Sequence, residues 1–101
     1  MHYLLIYELS DDYLERRSEF RNEHLKLAWQ AHSRGELILG GALQNPTDTA
    51  ILFFQGEDDS SVKSFVKNDP YVLNGLIKKW SVRPWTTVVG EMADNPIRID
   101  E

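Results

Sequence analysis

Apolar residues recur along the first third of the chain in two rhythms. "HYLLIYE", residues 2–8, is a short apolar run closed by "LSDD", the pattern of a strand buried on both faces. From Asp12 to Ser33 the spacing changes. At about 100° per residue, Tyr13, Phe20, Leu27 and Ala31 share one narrow stripe, which predicts an amphipathic helix. Asp11 or Asp12 can cap its start, and Gly35 can end it in left-handed backbone. "ELILGGAL" predicts a second strand, weakened or bent where Gly40 meets Gly41, and "TAILFFQG" a third. "QNPTD" between them has turn composition, so the two strands form a hairpin.

The second half repeats the theme. "EDDSSVKSFVKND" opens on capping residues and puts Val62, Phe65 and Val66 on one helical side. "DPYVLNGLIKK" begins a further helical turn, with Asp69 as N-cap and Pro70 at the first helical position. "KKWSVRPWTTVVG" predicts a fourth strand, confined by Pro84 to an edge, an end or a bulge. "EMADNPIRIDE" reads as a tail with a short extended piece at Ile97 to Ile99. The order β-α-β-β-α-β predicts an α+β, ferredoxin-like unit: one antiparallel sheet with both helices on one face, residues 1–90 as the domain and 91–101 as tail. The strands are apolar on both sides, which in a monomer would leave a large bare patch. A second copy packed sheet to sheet removes it, so a homodimer with a barrel-like interior is expected.

Composition narrows the partners. With 11 Lys and Arg against 16 Asp and Glu, the net charge is −5, the wrong sign for a nucleic-acid backbone or an anionic membrane. There is no cysteine, hence no disulfide framework and no thiolate chemistry; a cytoplasmic location is the default. The N-terminal apolar run is too short for a membrane span and is followed by acid rather than a cleavage site.

One residue breaks the pattern. His24 falls on the apolar stripe of the first helix, between Phe20 and Leu27. In this topology the segment after the second helix returns beside the first and carries the carboxylate of Asp69. An imidazole that donates one N–H to a carboxylate has its tautomer set and its basicity raised, and its other nitrogen can exchange a proton near neutral pH. Two plainer readings stand beside this one: His24 as a satisfied packing residue, and Asp69 as a helix cap only. His2, at the strand start, reads as exposed or fraying, and His32 as a cation suited to the helix C-terminus. Three scattered histidines without cysteine make no metal site, "LGGAL" lacks the order of a dinucleotide loop, and no serine has a nucleophile-elbow context.

The quoted segments are familiar. "YLLIYE", "RNEHL", "GELILGGAL" and "NDPYVLNGLIKKWSVRPWTTVVG" resemble the YciI-like (YCII-related) family, in order, over roughly residues 2–90. The resemblance implies a dimeric α+β barrel and a His–Asp pair proposed as active site, which maps onto His24 and Asp69; the Arg of R-x-x-H maps onto Arg21. Its nearest biochemical analogy is a dehydrochlorinase acting on a chlorinated hydroxyhydroquinone, and muconolactone isomerase shares the fold. This chain departs in having Gly41-Ala42 where many members have Gly-Pro, and in continuing past the last strand.

The combined expectation is a small-molecule enzyme, a lyase or isomerase, that needs no cofactor or metal. His24 acts as base and then acid, Asp69 orients it, and Arg21, Tyr3, Tyr7, Phe53 and Trp85 line the pocket of a small cyclic or aromatic substrate. The alternatives are a non-catalytic dimer that binds or senses a small ligand, and a structural domain in which the pair is a dry core hydrogen bond. Haem ligation through His24 lacks a second axial candidate.

Overall fold

The computed structural model describes residues 1–99. Its elements run β1 (His2–Leu9), α1 (Tyr13–Ser33), β2 (Leu37–Ala42), β3 (Thr49–Gln55), α2 (Ser60–Asn68), α3 (Pro70–Leu73) and β4 (Ile77–Trp85). The four strands form one antiparallel sheet in the order β2-β3-β1-β4, the ferredoxin-like arrangement expected from the element order. The strand carrying Pro84 is an edge strand, where a missing backbone donor breaks no ladder.

Alternation along β1 sorts its side chains cleanly. Tyr3, Leu5 and Tyr7 stand opposite Phe54, Leu52 and Ala50 on the face that the helices cover. Val62, Phe65 and Val66 of α2 and Tyr13 and Ala31 of α1 close over them, all buried as the stripe requires. Gly35, at φ +79°, ends α1 in left-handed backbone. The start of α1 differs from expectation. Asp12 occupies the N-cap position but makes no side-chain cap; its carboxylate instead takes the Ser10 hydroxyl at 2.7 Å and faces Arg16 at 3.6 Å.

The other face of the sheet carries Leu4, Ile6, Ile51 and Phe53, all half-buried, with exposed Leu39 beyond them on β2. The expectation of strands apolar on both sides holds for β1 and β3 and fails for β4. Lys79, Ser81 and Arg83 stand opposite Glu8, Ile6 and Leu4, so the edge strand gives this face a polar border.

His2 is neither exposed nor fraying: it is buried, with Nδ1 2.7 Å from the Thr87 hydroxyl and its ring edge-on to Phe53. Residues 86–99 form no helix or strand, so the extended piece expected at Ile97 to Ile99 is not part of the sheet. The tail nevertheless turns back on itself, the Asp94 N–H donating to Thr87 Oγ1 and the Ile97 N–H to the Val88 carbonyl. The last two tail positions, Asp100 and Glu101, lie outside the described residues. Among the described residues, no helix is long and apolar enough to cross a membrane.

Candidate active site

The segment between α2 and α3 decides what His24 meets. Asp69 leaves α2 in extended backbone and caps α3, with Pro70 at the first helical position. Its side chain is fully buried beneath α1. Three donors converge on it: His24 Nδ1 and the Tyr71 N–H on Oδ1, at 2.7 and 3.0 Å, and the Tyr7 hydroxyl on Oδ2 at 2.7 Å. The cap and the dyad partner are therefore the same carboxylate. A buried carboxylate needs hydrogen-bond donors in place of the water it has lost, and these three supply them.

The bonds also set the protons. A carboxylate can only accept, so the hydrogen between it and His24 sits on Nδ1, and Nε2 carries the free lone pair. Tyr7 remains the donor: burial, then the negative charge of Asp69 and the hydrogen bond to it, push its phenol far above the ordinary range. The Tyr71 ring stacks on the imidazole at 3.8 Å with 8° between planes, and Phe65 meets it edge-on. Packing on its face and a bond at one nitrogen hold the imidazole in one orientation. Its side chain is 14% exposed, and no described residue pairs with Nε2.

His24 opens onto a cleft of about 390 Å³ between α1 and the β2 side of the sheet. From α1 the walls are Tyr13, Arg17, Arg21, His24, Leu25, Ala28, Trp29 and His32; from the sheet they are mostly small or aliphatic, including Leu37, Ala42, Ala50 and Leu52. Gly40 and Gly41 form part of the floor. Gly40 stands opposite Leu52 on the helix-covered face, and a Cβ there would come within 3.3 Å of Leu52 Cγ. The lack of a side chain at Gly40 keeps this part of the floor low.

The structure brings together four of the seven residues singled out in the sequence: His24, Asp69, Tyr7 and, at the exposed rim, Arg21. Tyr7 does more than line the pocket, since it holds the far oxygen of Asp69. The other three lie elsewhere. Tyr3 is buried two residue pairs further along the same face, with its hydroxyl against Met1 Sδ at 3.5 Å. Phe53 and Trp85 stack edge to face at 5.2 Å on the opposite face of the sheet, beside His2, so neither lines this cleft. Strand parity separates them: Phe53 pairs with Leu4 and Trp85 with His2, both on the even-numbered face of β1.

Sequence reasoning missed Arg17, Tyr71, His32 and the role of the glycines. Arg17 was legible, since at about 100° per residue it lies only about 20° around α1 from His24. Tyr71 was not, because its stacking depends on how α3 docks against α1. His32, whose Nδ1 donates to the Leu37 carbonyl at 2.7 Å, is tied to the strand it precedes and also reaches the cleft.

Comparison with known proteins agrees with this architecture. The solved structure of 5-chloro-2-hydroxyhydroquinone dehydrochlorinase (TftG) from Burkholderia phenoliruptrix AC1100, a complex with 2,5-dihydroxybenzoquinone, superposes with a TM-score of 0.73 at 22% identity, covering 93% of this chain and all of that one. Protein Atu4242 from Agrobacterium tumefaciens matches with a TM-score of 0.58 at 13% identity, covering 93% of this chain and 98% of the other. At these identities the likeness shows a shared fold. No curated protein matches the sequence. The profile of the YCII-related domain matches residues 1–86, from β1 through the end of β4, and the chain belongs to that family.

Proposed function

We propose that the protein is an enzyme acting on a small cyclic or aromatic molecule by proton abstraction, followed by elimination or isomerisation, without a cofactor. One observation carries the reading: His24 has Nδ1 bonded to a fully buried carboxylate while Nε2 is left for a cleft. In that role Nε2 takes a proton from a substrate carbon. The imidazolium is stabilised by Asp69, and the electron pair left on the substrate either expels a leaving group from the adjacent position or is reprotonated elsewhere. Tyr7 and the Tyr71 N–H hold the Asp69 carboxylate in place throughout. That a protein of the same fold is named as a dehydrochlorinase of a hydroxyhydroquinone supports this reaction class. Arg21 meets the substrate at the rim.

Chloride release from 5-chloro-2-hydroxyhydroquinone, and solvent-deuterium uptake into related cyclic ketones, test the reading with wild type and His24→Gln. Turnover reduced by at least about 100-fold in His24→Gln, with the fold intact by circular dichroism, is the expected result. Equal turnover in both overturns it. Ligand binding without turnover in either makes the protein a binding module.

The assembly proposed with this site is a homodimer in which a second copy covers Leu4, Ile6, Ile51 and Phe53 on the open face of the sheet. Sedimentation of wild type as twice the chain mass, and of Ile6→Lys as a monomer, is expected. The absence of cysteine suits a cytoplasmic setting.

A further inference from the structure

The charges around the cleft point one way. Among the described residues, its lining contains Arg17, Arg21, His24 and His32 and not one aspartate or glutamate, in a chain whose net charge is −5. The carboxylate of Asp69 is fully buried behind His24 and engaged by three donors.

The neighbouring arginines behave differently from one another. Arg16 is tied down: it donates to the Asn74 carbonyl at 2.8 Å, faces Asp12 at 3.6 Å and lies over the Phe20 ring. Arg17 lies over the Tyr13 ring at 5.6 Å, and neither it nor Arg21 has an ion pair or hydrogen bond with any described residue. Two unpaired guanidiniums four residues apart on one helix repel each other, a cost that an anion between them would reverse. Both also act on the Tyr71 hydroxyl. Burial and then the Tyr13 hydroxyl push the Tyr71 phenol above its ordinary range, and Arg21 and Arg17 oppose that rise; all three residues line the cleft with His24, on which the Tyr71 ring stacks.

We infer that the cleft binds a cyclic organic acid, with its carboxylate held between Arg17 and Arg21 and its ring against the aliphatic floor beside His24. This deepens the acid–base reading and rests on it for the use made of the ring; recognition of the acid is separable from the chemistry. The arrangement also suits the reaction. Removing a proton from the ring leaves negative charge on the substrate, and cations at the cleft wall, which no aspartate or glutamate of the described residues shares, stabilise that charge.

Amide-resolved NMR titration of the full chain with benzoate, benzyl alcohol and acetate tests this directly. Benzoate is expected to shift Ala28, Gly40 and Gly41 and to bind at least about ten-fold more tightly than either the uncharged ring or the ringless acid, about 1.4 kcal/mol. The double substitution Arg17→Gln with Arg21→Gln removes that preference, whereas Arg16→Gln keeps it. Benzoate binding no tighter than benzyl alcohol or acetate, or unchanged in the double variant, overturns the inference. The two failures are distinct. Loss of charge preference with His24-dependent turnover intact removes the acid subsite alone. Charge preference without any His24-dependent turnover removes the acid–base reading and leaves the subsite.

Discussion

Two histidines, His24 and His2, are built into the fold with nearly the same first bond and opposite consequences. Each has Nδ1 2.7 Å from a side-chain oxygen, and each packs against aromatic rings. For His24 the oxygen belongs to a buried carboxylate, so Nδ1 must donate and Nε2 is left for the cleft. For His2 the oxygen belongs to Thr87, which already accepts the Asp94 N–H, and the Asp94 carboxylate lies 3.6 Å from Nε2. That carboxylate favours the proton on Nε2, leaving Nδ1 to accept from Thr87. Both nitrogens of His2 are engaged in pinning the tail against the start of β1. A buried, hydrogen-bonded histidine is thus no mark of chemistry by itself; the role proposed for His24 rests on its second nitrogen facing a cavity.

The comparison can be broken most severely at Asp69. Asp69→Ala strands the Tyr7 hydroxyl, the Tyr71 N–H and His24 Nδ1 in the interior, and a loss of about 3–5 kcal/mol in urea unfolding is expected. A smaller break is Tyr7→Phe, which removes one bond to a charged acceptor, about 1.5–3 kcal/mol at neutral pH.

Alkaline pH probes the same bond. Tyr7 keeps its proton in the folded state far above 10.0, where the unfolded chain releases it. Its contribution is therefore fully present below pH 10 and lost above it, because there the unfolded state holds fewer protons. A slope of up to about 1.4 kcal/mol per pH unit from this residue is expected above pH 10, and Tyr7→Phe should flatten it.

At the His2 site the expected effects are smaller. Thr87→Val removes two neutral bonds, the one with His2 Nδ1 and the one from the part-buried Asp94 N–H, and should cost about 1–2 kcal/mol, with the cleft unchanged. The mildest test changes nothing in the chain: nitrogen-15 shifts of the neutral rings should show the proton on Nδ1 of His24 and on Nε2 of His2. The same tautomer at both would erase the contrast drawn above.

How much of this was legible depended on the range of the interaction. Elements set by local periodicity, such as the stripe of α1 and the Val62, Phe65 and Val66 face of α2, were readable because each position constrains its neighbours three or four residues away. The encounter of His24 with Asp69, 45 residues apart, was foreseen from topology and resemblance, but as an alternative to Asp69 being a cap; only the structure shows one carboxylate doing both. Phe53 and Trp85 were assigned to the pocket because an apolar strand does not announce which of its faces meets the helices, and one step of register moves every side chain across the sheet. His2 was read as fraying because its partners, Thr87 and Asp94, come from the far end of the chain.

By itself, the sequence determined the order and kind of the elements, the acid-rich and cysteine-free character, and the presence of a histidine on an otherwise apolar stripe of the first helix. Those follow from spacing and composition, which act over a few residues or over the whole chain at once. The tertiary structure decided which histidine keeps a nitrogen facing the cleft, which arginines go without an ion pair among the described residues, and which face of the sheet opens into a cleft. Those depend on register and on helix docking, where groups distant in sequence compete for the same few donors and acceptors, and only the packed arrangement says which of them are left over.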